Sequence, residues 1–402
     1  MADRIVQQPA AVDRQKQFSE LPAAEMERST FDMSHSWKGT MDYNRIVPIM
    51  LNEILPGDTF NCKTTVFMRL ATPLKPIMDS IKADVHYFFV PNRLVWDNWQ
   101  FFMGERANPD DDPTEKSVPV VRVDMEKVRA GLSLVDYFGL PLQENDPEPD
   151  QRVQVNALPF RGYQTIFNEW YRNQNIQGDI DVYTGDDLIL ADDFLQGVAA
   201  VRFRHKKADY FTRALPWPQK GDPVFLPLGT HATVLPGNTP ESSNITPQFV
   251  DNDDPANTGQ LTMKTGQGED LFFSGTGDTN SNLDWNNPRL HADLTTATAA
   301  TINDIRTAFQ VQKLLERDAR SGTRYIEIIL AHFNVQSPDA RLQRPEYLGG
   351  GSGNIIINPV ASTVAQEDIP QGNLSAVGTG VVKAGFNHSF VEHGFLFGLL
   401  SC

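Results

Sequence analysis

Cysteine is scarce in this chain, since Cys62 and Cys402 are the only two among 402 residues. Two cysteines exclude a disulfide scaffold and a cysteine-built zinc site, and they fit a reducing compartment. Basic residues are not in excess either, because the formal net charge is −16. Proteins that bind polyanions over their whole surface are usually basic. Any nucleic-acid contact must therefore come from a local patch.

Long apolar runs are also missing. No stretch approaches the ~20 apolar residues that a membrane-spanning helix needs. The first residues, MADRIVQQPAAVDRQ, are polar and contain no apolar signal core. We therefore expect a soluble protein that is made in the cytoplasm and does not insert into a membrane.

Recognisable catalytic motifs are absent. The segment His388–His393 matches neither H-E-x-x-H nor H-x-x-E-H, and Gly349–Gly353, which we predict to be a flexible turn, lacks the G-x-G-x-x-G spacing. No G-x-x-x-x-G-K-[ST] or G-x-S-x-G segment occurs. The acidic clusters are Asp110–Asp112, Asp186–Asp187, Asp192–Asp193 and Asp251–Asp254. They could bind a weak structural divalent cation such as Ca²⁺ or support glycosidase chemistry, but loop-like sequence favours solvated acids. We expect no enzyme, no cofactor and no dedicated metal site.

Strand-forming sequence is abundant. Hydrophobic residues make up 40% of the chain, and 24 Phe, 28 Gly and 27 Pro suit a β-rich fold with many turns. Two β-type runs flank the turn-rich segment Pro73–Asp79. In the first, Phe60–Met68, alternate residues share one face, whereas Val85–Val90 is apolar on both faces. A strand of the second kind belongs in the middle of a packed double layer. Further strands are expected at Ile355–Ile357, Gly378–Ala384 and Phe390–Leu400.

Helical patterns interrupt these strands. Apolar spacing predicts helices over Leu94–Met103 and Pro159–Arg172 and a helical turn over Leu132–Phe138. Thr301 with Asp304 is a helix-start signal, Gly322 separates two helices, and the second runs to about Phe333. We predict Ser34–Pro48 to be turn-rich. The overall pattern indicates a sandwich or jelly roll with elaborated loops.

Residues 228–299 differ from the rest of the chain. They are rich in Gly, Asn, Thr, Asp, Ser and Pro and show weak periodicity. Such a segment is too long for an ordinary connection. We favour an ordered surface insertion, while a flexible linker between two domains remains the alternative.

Two groups of basic residues are candidates for phosphate contacts. The first is spread over the N-terminal part of the chain and comprises Arg4, Arg14, Lys16, Arg28 and Lys38. The second, the basic cluster, comprises Arg202, Arg204, His205, Lys206 and Lys207. Such side chains neutralise phosphates without recognising sequence. Solvated or salt-bridging surfaces are the alternative for both groups.

Four blocks resemble the major capsid protein of gokushoviruses, a branch of the Microviridae: Phe31–Phe60, Lys82–Glu105, Ala214–Asp222 and Thr301–Gly350. The resemblance implies a mainly β fold, an eight-stranded antiparallel jelly roll of the viral capsid type with long helical and loop insertions. It also implies a bacteriophage virion with a T=1 icosahedral shell, assembled through pentamers around circular single-stranded DNA in the cytoplasm of a bacterial host. The implied partners are further copies of the chain, the genome, internal scaffolding, DNA-binding and minor or pilot proteins, and a host surface receptor.

The same resemblance suggests a division of the chain. Residues 1–57 would form an N-terminal arm and the lead-in to the barrel, 58–227 the first strands with helical insertions, and 300–402 further helices and the later strands. Residues 228–299 would project near the three-fold axes for host attachment. Candidate attachment residues there are Asn238, Asn244, Asp251, Phe272 and Trp285.

The family's chains continue beyond Cys402. Phe395, Phe397 and Leu399 need a partner layer, so the sequence predicts that a C-terminal part of the barrel is missing or is carried by a separate chain. A different function also remains open from the residues. A monomeric β-sandwich could bind or cleave carbohydrate through its acidic loops and aromatics such as Trp285.

Overall fold

The computed structural model describes residues 28–73, 77, 79–108, 110–112, 115–124, 131–140, 152–186, 199–225, 301–361, 363–364 and 371–402, and the backbone of six short strands within 226–300. Its largest element is a six-stranded antiparallel sheet. The strands are β1 (Ile46–Ile54), β2 (Thr59–Arg69), β3 (Ile81–Pro91), β12 (Glu346–Ala361), β13 (Leu374–Ser389) and β14 (Gly394–Ser401). Their order in the sheet is β1-β14-β3-β12-β13-β2. A separate hairpin pairs β4 (Val120–Asp124) with β5 (Arg152–Asn156). The prediction of a mainly antiparallel β-sandwich of the jelly-roll type with insertions is confirmed.

Strand β3 lies at the centre of the sheet, between β14 and β12. Its even-numbered Phe88 and Val90 belong to one apolar cluster, and its odd-numbered Val85, Tyr87 and Phe89 to another. Because both faces are covered, the strand needs apolar residues at successive positions. The predicted two-faced strand is confirmed.

One cluster fills the space between the sheet and its helical cover. Helix α3 (Leu158–Ile166) contributes Phe160 and Tyr163, and β14 contributes Phe395, Phe397 and Leu399. The Tyr163 hydroxyl donates a 2.7 Å hydrogen bond to the Ile46 carbonyl, which fixes the helix to β1. These β14 side chains therefore have a partner layer within the chain, while the absence of a C-terminal part of the barrel stays a prediction.

The second cluster lies on the other face of β3. Val382 and Phe386 of β13 pack against Tyr87 and Phe89 of β3, and the inward residues of β2 lie against the same cluster. Strand β2 alternates between half-buried and exposed residues along its whole length, as its sequence predicts.

The glycine-rich segment Gly349–Gly353 is part of β12 and not a turn. It pairs with β3 while its backbone passes close to β13. A Cβ atom on Gly351 would lie 2.1 Å from the Lys383 carbonyl oxygen, and one on Gly353 2.6 Å from that of Val381. Only glycine allows two backbones to approach so closely. The prediction of a flexible turn is wrong. Glycine-rich composition is the same for a loop and for a strand that packs closely against another backbone, so composition alone does not distinguish them.

Strand β1 starts at Ile46, inside the segment predicted to be turn-rich. It pairs with β14 along most of its length. Residues 46–54 therefore belong to the main sheet, and the prediction that 34–48 is turn-rich is wrong over its last three residues.

The helices follow the predicted order with some different bounds. They are α1 (Trp99–Phe102), α2 (Leu134–Tyr137), α3, α4 (Ile302–Ser321) and α5 (Tyr325–Phe333). A π-helical turn, Phe167–Tyr171, extends α3, and the Thr301–Asp304 capping box starts α4. The predicted helix Leu94–Met103 is wrong over its first half. There a 3₁₀ turn (Asn92–Leu94) precedes α1, and the Asp97 amide donates to the Thr184 carbonyl and not to a carbonyl of a preceding helical turn.

The described parts of residues 226–300 are short strands in two small sheets. A four-stranded sheet contains β7 (Gln248–Asp251), β8 (Thr258–Met263), β9 (Leu271–Phe273) and β10 (Leu283–Asn286) in the order β10-β7-β8-β9. Strands β6 (Thr233–Pro236) and β11 (Leu290–Asp293) form the other. The proposed domain boundaries stay predictions.

Candidate nucleic-acid and assembly surfaces

The basic cluster lies against the start of β1. The Ile46 amide donates to the Arg202 carbonyl at 3.0 Å, and the Arg204 amide donates to the Asn44 carbonyl at 2.9 Å. These bonds hold residues 202–204 in an extended conformation beside the sheet. Sequence reasoning found the cluster but could not place it there.

A buried carboxylate organises the cluster. Asp84 on β3 is 1% exposed and accepts hydrogen bonds from Arg204 Nη1 at 2.5 Å and Ser352 Oγ at 2.5 Å. Lys207 Nζ lies 2.8 Å from the same carboxylate, and Arg204 also donates to Ser401 Oγ at 2.7 Å. Burial by itself raises the pKa of Asp84, but the bonds from Lys207, Ser352 and Arg204 outweigh it and hold the pKa well below its usual range. Asp84 is therefore ionised and ties β3, β12 and β14 to the cluster.

The four predicted phosphate ligands of this cluster are not equivalent. Arg204 is mostly buried, and Arg202 donates through Nε to Gln164 Oε1 at 2.7 Å. Lys206 pairs with Asp209 at 2.5 Å but its side chain is 64% exposed, and that of Lys207 is 58% exposed. Geometry favours Lys206 and Lys207 for contacts with an outside anion, while Arg204 has a structural role. DNA binding by this cluster stays a prediction.

The other basic candidates belong to the N-terminal part of the chain. Arg4, Arg14 and Lys16 lie outside the described residues. The Arg28 guanidinium donates to the Pro56 carbonyl at 2.8 Å and lies 3.7 Å from the Asp58 carboxylate. Lys38 is exposed.

A cavity of about 500 Å³ opens beside the basic cluster. Five segments line it: β3, the turn after α3, the loop that carries the cluster, the α4–α5 junction, and the start of β12. Its lining includes His86, Trp170, Tyr171, Lys206, Lys207 and Tyr347. Sequence reasoning missed this site because its residues meet only in the folded chain.

Aromatic rings form one wall of the cavity. The Tyr347 ring lies 5.6 Å from both the Phe88 and Trp170 rings and 5.9 Å from the His86 ring, measured between centroids. Tyr171 bonds His86 Nδ1 through its hydroxyl at 2.9 Å. Burial, together with the nearby Arg204 charge, lowers the pKa of His86 to about 4, so this ring is neutral at pH 7.

The predicted attachment residues fall in two groups. Asn238 and Asn244 lie outside the described residues. Asp251, Phe272 and Trp285 lie on β7, β9 and β10, where Trp285 is paired with Phe249. Their role in attachment stays a prediction.

Helices α4 and α5 expose much apolar surface. Within α4 only Ala319 is buried, and α5 has no buried residue. The exposed apolar residues of the pair, here called the helix-pair face, are Ile302, Phe309, Val311, Leu314, Tyr325, Leu330 and Phe333. His332 of α5 meets Asp318 of α4 at 2.5 Å, which joins the two helices. Apolar patches of this kind mark interaction sites.

Two of the acidic clusters have structural uses. Asp111 accepts hydrogen bonds from the amides of Ala107 and Asn108. Asp186 accepts from Trp96, Asn98 and Lys116; burial opposes its ionisation, yet these donors lower its pKa to about 2. Across the described ranges, no group of three or more His, Cys, Asp or Glu side chains could hold a metal ion. Five other residues of these clusters, Asp187, Asp192, Asp193, Asp253 and Asp254, lie outside those ranges, so weak cation binding stays a prediction.

No helix in the described part of the chain is long and apolar enough to cross a membrane.

Comparison with known proteins gives a consistent result. The family model described as "Capsid protein (F protein)" matches residues 19–402. Capsid protein VP1 of Bdellovibrio phage phiMH2K is 43% identical over 394 residues, which cover 96% of this chain and 71% of that protein. Capsid protein VP1 of Chlamydia phage 1 is 35% identical, over 96% of this chain and 72% of that protein. Capsid protein VP1 of Spiroplasma virus 4 is 31% identical, over 94% and 70%.

Proposed function

Because this chain belongs to the capsid protein (F protein) family, we propose that it builds a T=1 icosahedral phage shell, through pentamers, around a circular single-stranded DNA genome. Part of this function follows from the family itself. The chain is a structural protein of the virion that self-assembles into a capsid, and it is not an enzyme. The alternative of a monomeric carbohydrate-active sandwich is not supported.

The helix-pair face is the observation that best supports assembly. Phe309 is 69% exposed on α4 and Phe333 is 73% exposed on α5. Burying a Phe side chain that is exposed to water contributes about 1.5–3 kcal/mol of favourable free energy. A shell interface of the usual size, on the order of ~1,000 Å² or more, would remove both side chains from water. We propose that a neighbouring subunit covers this face.

Replacing Phe309 by Asp should abolish closed particles while the subunit stays folded. The substitution removes a large apolar contact and places a charge where the partner excludes water, and symmetry repeats this defect at every equivalent interface. Size-exclusion chromatography and negative-stain imaging measure assembly, and circular dichroism measures the fold.

The matched control is Gln310→Asp, which introduces the same charge at the next position, also exposed on α4. It should assemble like the unmodified chain. Particles of normal yield from Phe309→Asp would contradict the proposal that this face is an interface.

We also propose that residues 228–299 project from the shell and contact the host receptor. Their support is the resemblance and the separate small sheets found there. Deleting Gly237–Asn287 should leave particles intact and abolish attachment to the host, measured by depletion of phage from a cell suspension. Failure to form particles would make the segment part of the shell framework instead.

The remaining proposed partners follow from the same resemblance. Scaffolding, DNA-binding and minor or pilot proteins of the virion would contact the shell, and assembly would take place in the host cytoplasm. Co-purification of these proteins with particles from infected cells tests that proposal.

A further inference from the structure

The cavity beside the basic cluster combines an aromatic wall with a cationic rim. Its volume of about 500 Å³ is in the range of sites for small organic molecules. Those features define the chemistry of its ligand.

The charge balance of the lining favours an anion. Five cationic side chains line the cavity, namely Arg172, Arg204, Lys206, Lys207 and Arg324, against the single carboxylate of Glu327. Glu327 is already engaged, because its Oε2 atom accepts the amides of Thr323 and Arg324 at the start of α5. Asp84 and Asp209 neutralise part of the excess positive charge, but the rim of the cavity keeps a net positive charge. In a chain of net charge −16, a rim of this sign is a specific feature.

The aromatic wall adds a flat apolar surface. Tyr347 is 43% exposed, while the rings of Phe88, Trp170 and His86 hold it from behind. A neutral His86 keeps this wall free of charge at pH 7. A supported ring with an accessible surface is a platform on which any nucleobase can stack.

We propose that this cavity binds one nucleotide unit of a single DNA strand, with the base on Tyr347 and the phosphate at Lys206 and Lys207. The assignment deepens the proposed genome contact and rests on it. It gives the basic cluster a partner surface that its sequence alone does not show. A neutral sugar would stack on the Tyr347 ring without an ion pair to the lysines. An inorganic anion would pair with the lysines without contacting the ring.

The test measures binding of a short fluorescein-labelled oligothymidylate to the full chain by fluorescence anisotropy over a range of salt concentrations. Tyr347→Leu should weaken binding about tenfold, the scale of one lost base stack, with an unchanged salt dependence. Lys206→Gln should also weaken binding, and it should reduce the slope of log K against log salt by about 0.7, the value for one phosphate contact on a single strand.

Matched controls lie on the outer face of β2. Phe67→Leu removes an exposed aromatic ring and Lys63→Gln an exposed lysine, both on a strand that does not line the cavity. Both should bind within twofold of the unmodified chain. Thermal melts of all variants check that they are folded.

The proposal is overturned if Tyr347→Leu binds like Phe67→Leu, or if Lys206→Gln has the same slope as Lys63→Gln. It is also overturned if inorganic polyphosphate of equal charge displaces the strand equally well from the unmodified chain and from Tyr347→Leu. Shell assembly of the same variants is measured in parallel. Normal particles with unchanged binding would reject the nucleotide site and leave the shell function standing.

Discussion

Replacing Asp84 by Asn should reduce the free energy of unfolding of the subunit by about 3–5 kcal/mol, the usual cost of removing one partner from a buried ion pair. Asp84 is 1% exposed and accepts bonds from Arg204, Lys207 and Ser352. The asparagine keeps the shape but not the charge, so the mostly buried Arg204 guanidinium loses its counter-ion. Urea unfolding followed by circular dichroism measures the difference.

Asp209→Asn is the matched control. Asp209 pairs with Lys206 on the surface of the same loop, where solvent screens the interaction. The Asp209→Asn variant should have the same urea midpoint as the unmodified chain. Equal midpoints for Asp84→Asn and the unmodified chain would contradict the structural role of Asp84.

The same ion pair predicts a pH dependence. The folded-state pKa of Asp84 lies well below the ordinary value of 3.8. Its contribution is therefore fully present above the unfolded-state pKa and is lost as the pH falls through the folded-state value. The stability gap between the unmodified chain and Asp84→Asn should be constant from neutral pH down to about pH 5, and should shrink below about pH 4. A gap that grows on acidification would contradict an ionised Asp84.

Replacing Gly351 by Ala should destabilise the subunit by about 1–3 kcal/mol or more, the range for overpacked sites. The new Cβ atom would lie 2.1 Å from the Lys383 carbonyl oxygen, and backbone on both strands would have to move. Thermal unfolding monitored by circular dichroism measures the effect.

Gly178→Ala is the control, because a Cβ atom there meets nothing within 4 Å. It should change stability by no more than about 0.5 kcal/mol. If the two alanine variants unfold at the same temperature, β12 and β13 do not approach as closely as described.

The sequence predicts those parts of the fold that depend on local periodicity. The two-faced apolar pattern of Val85–Val90 placed β3 at the centre of a double layer, where the structure has it. The capping signal at Thr301 and the break at Gly322 marked α4 and α5 nearly to the residue. Each of these signals lies within a few consecutive residues.

Features that depend on distant partners were missed. Gly349–Gly353 has the composition of a loop, and only the approach of Lys383 and Val381 shows why glycine is needed there. The sequence shows that the cluster 202–207 is basic. It does not predict that Asp84, more than a hundred residues away in the chain, neutralises part of that charge. The alternation of side chains along β3 indicates from sequence that His86 and Phe88 lie on one face, and both residues line the cavity. No pattern in the neighbouring sequence predicts that Tyr347, which is distant along the chain, packs against these two residues.

In our proposal, this subunit assembles into a shell through the helix-pair face. A cryo-electron microscopy map of particles formed by the purified chain tests it most directly. The account predicts a T=1 shell in which Phe309 and Phe333 are buried against a neighbouring subunit. A shell in which both side chains remain in solvent, or a chain that stays monomeric at every concentration tested, would contradict it.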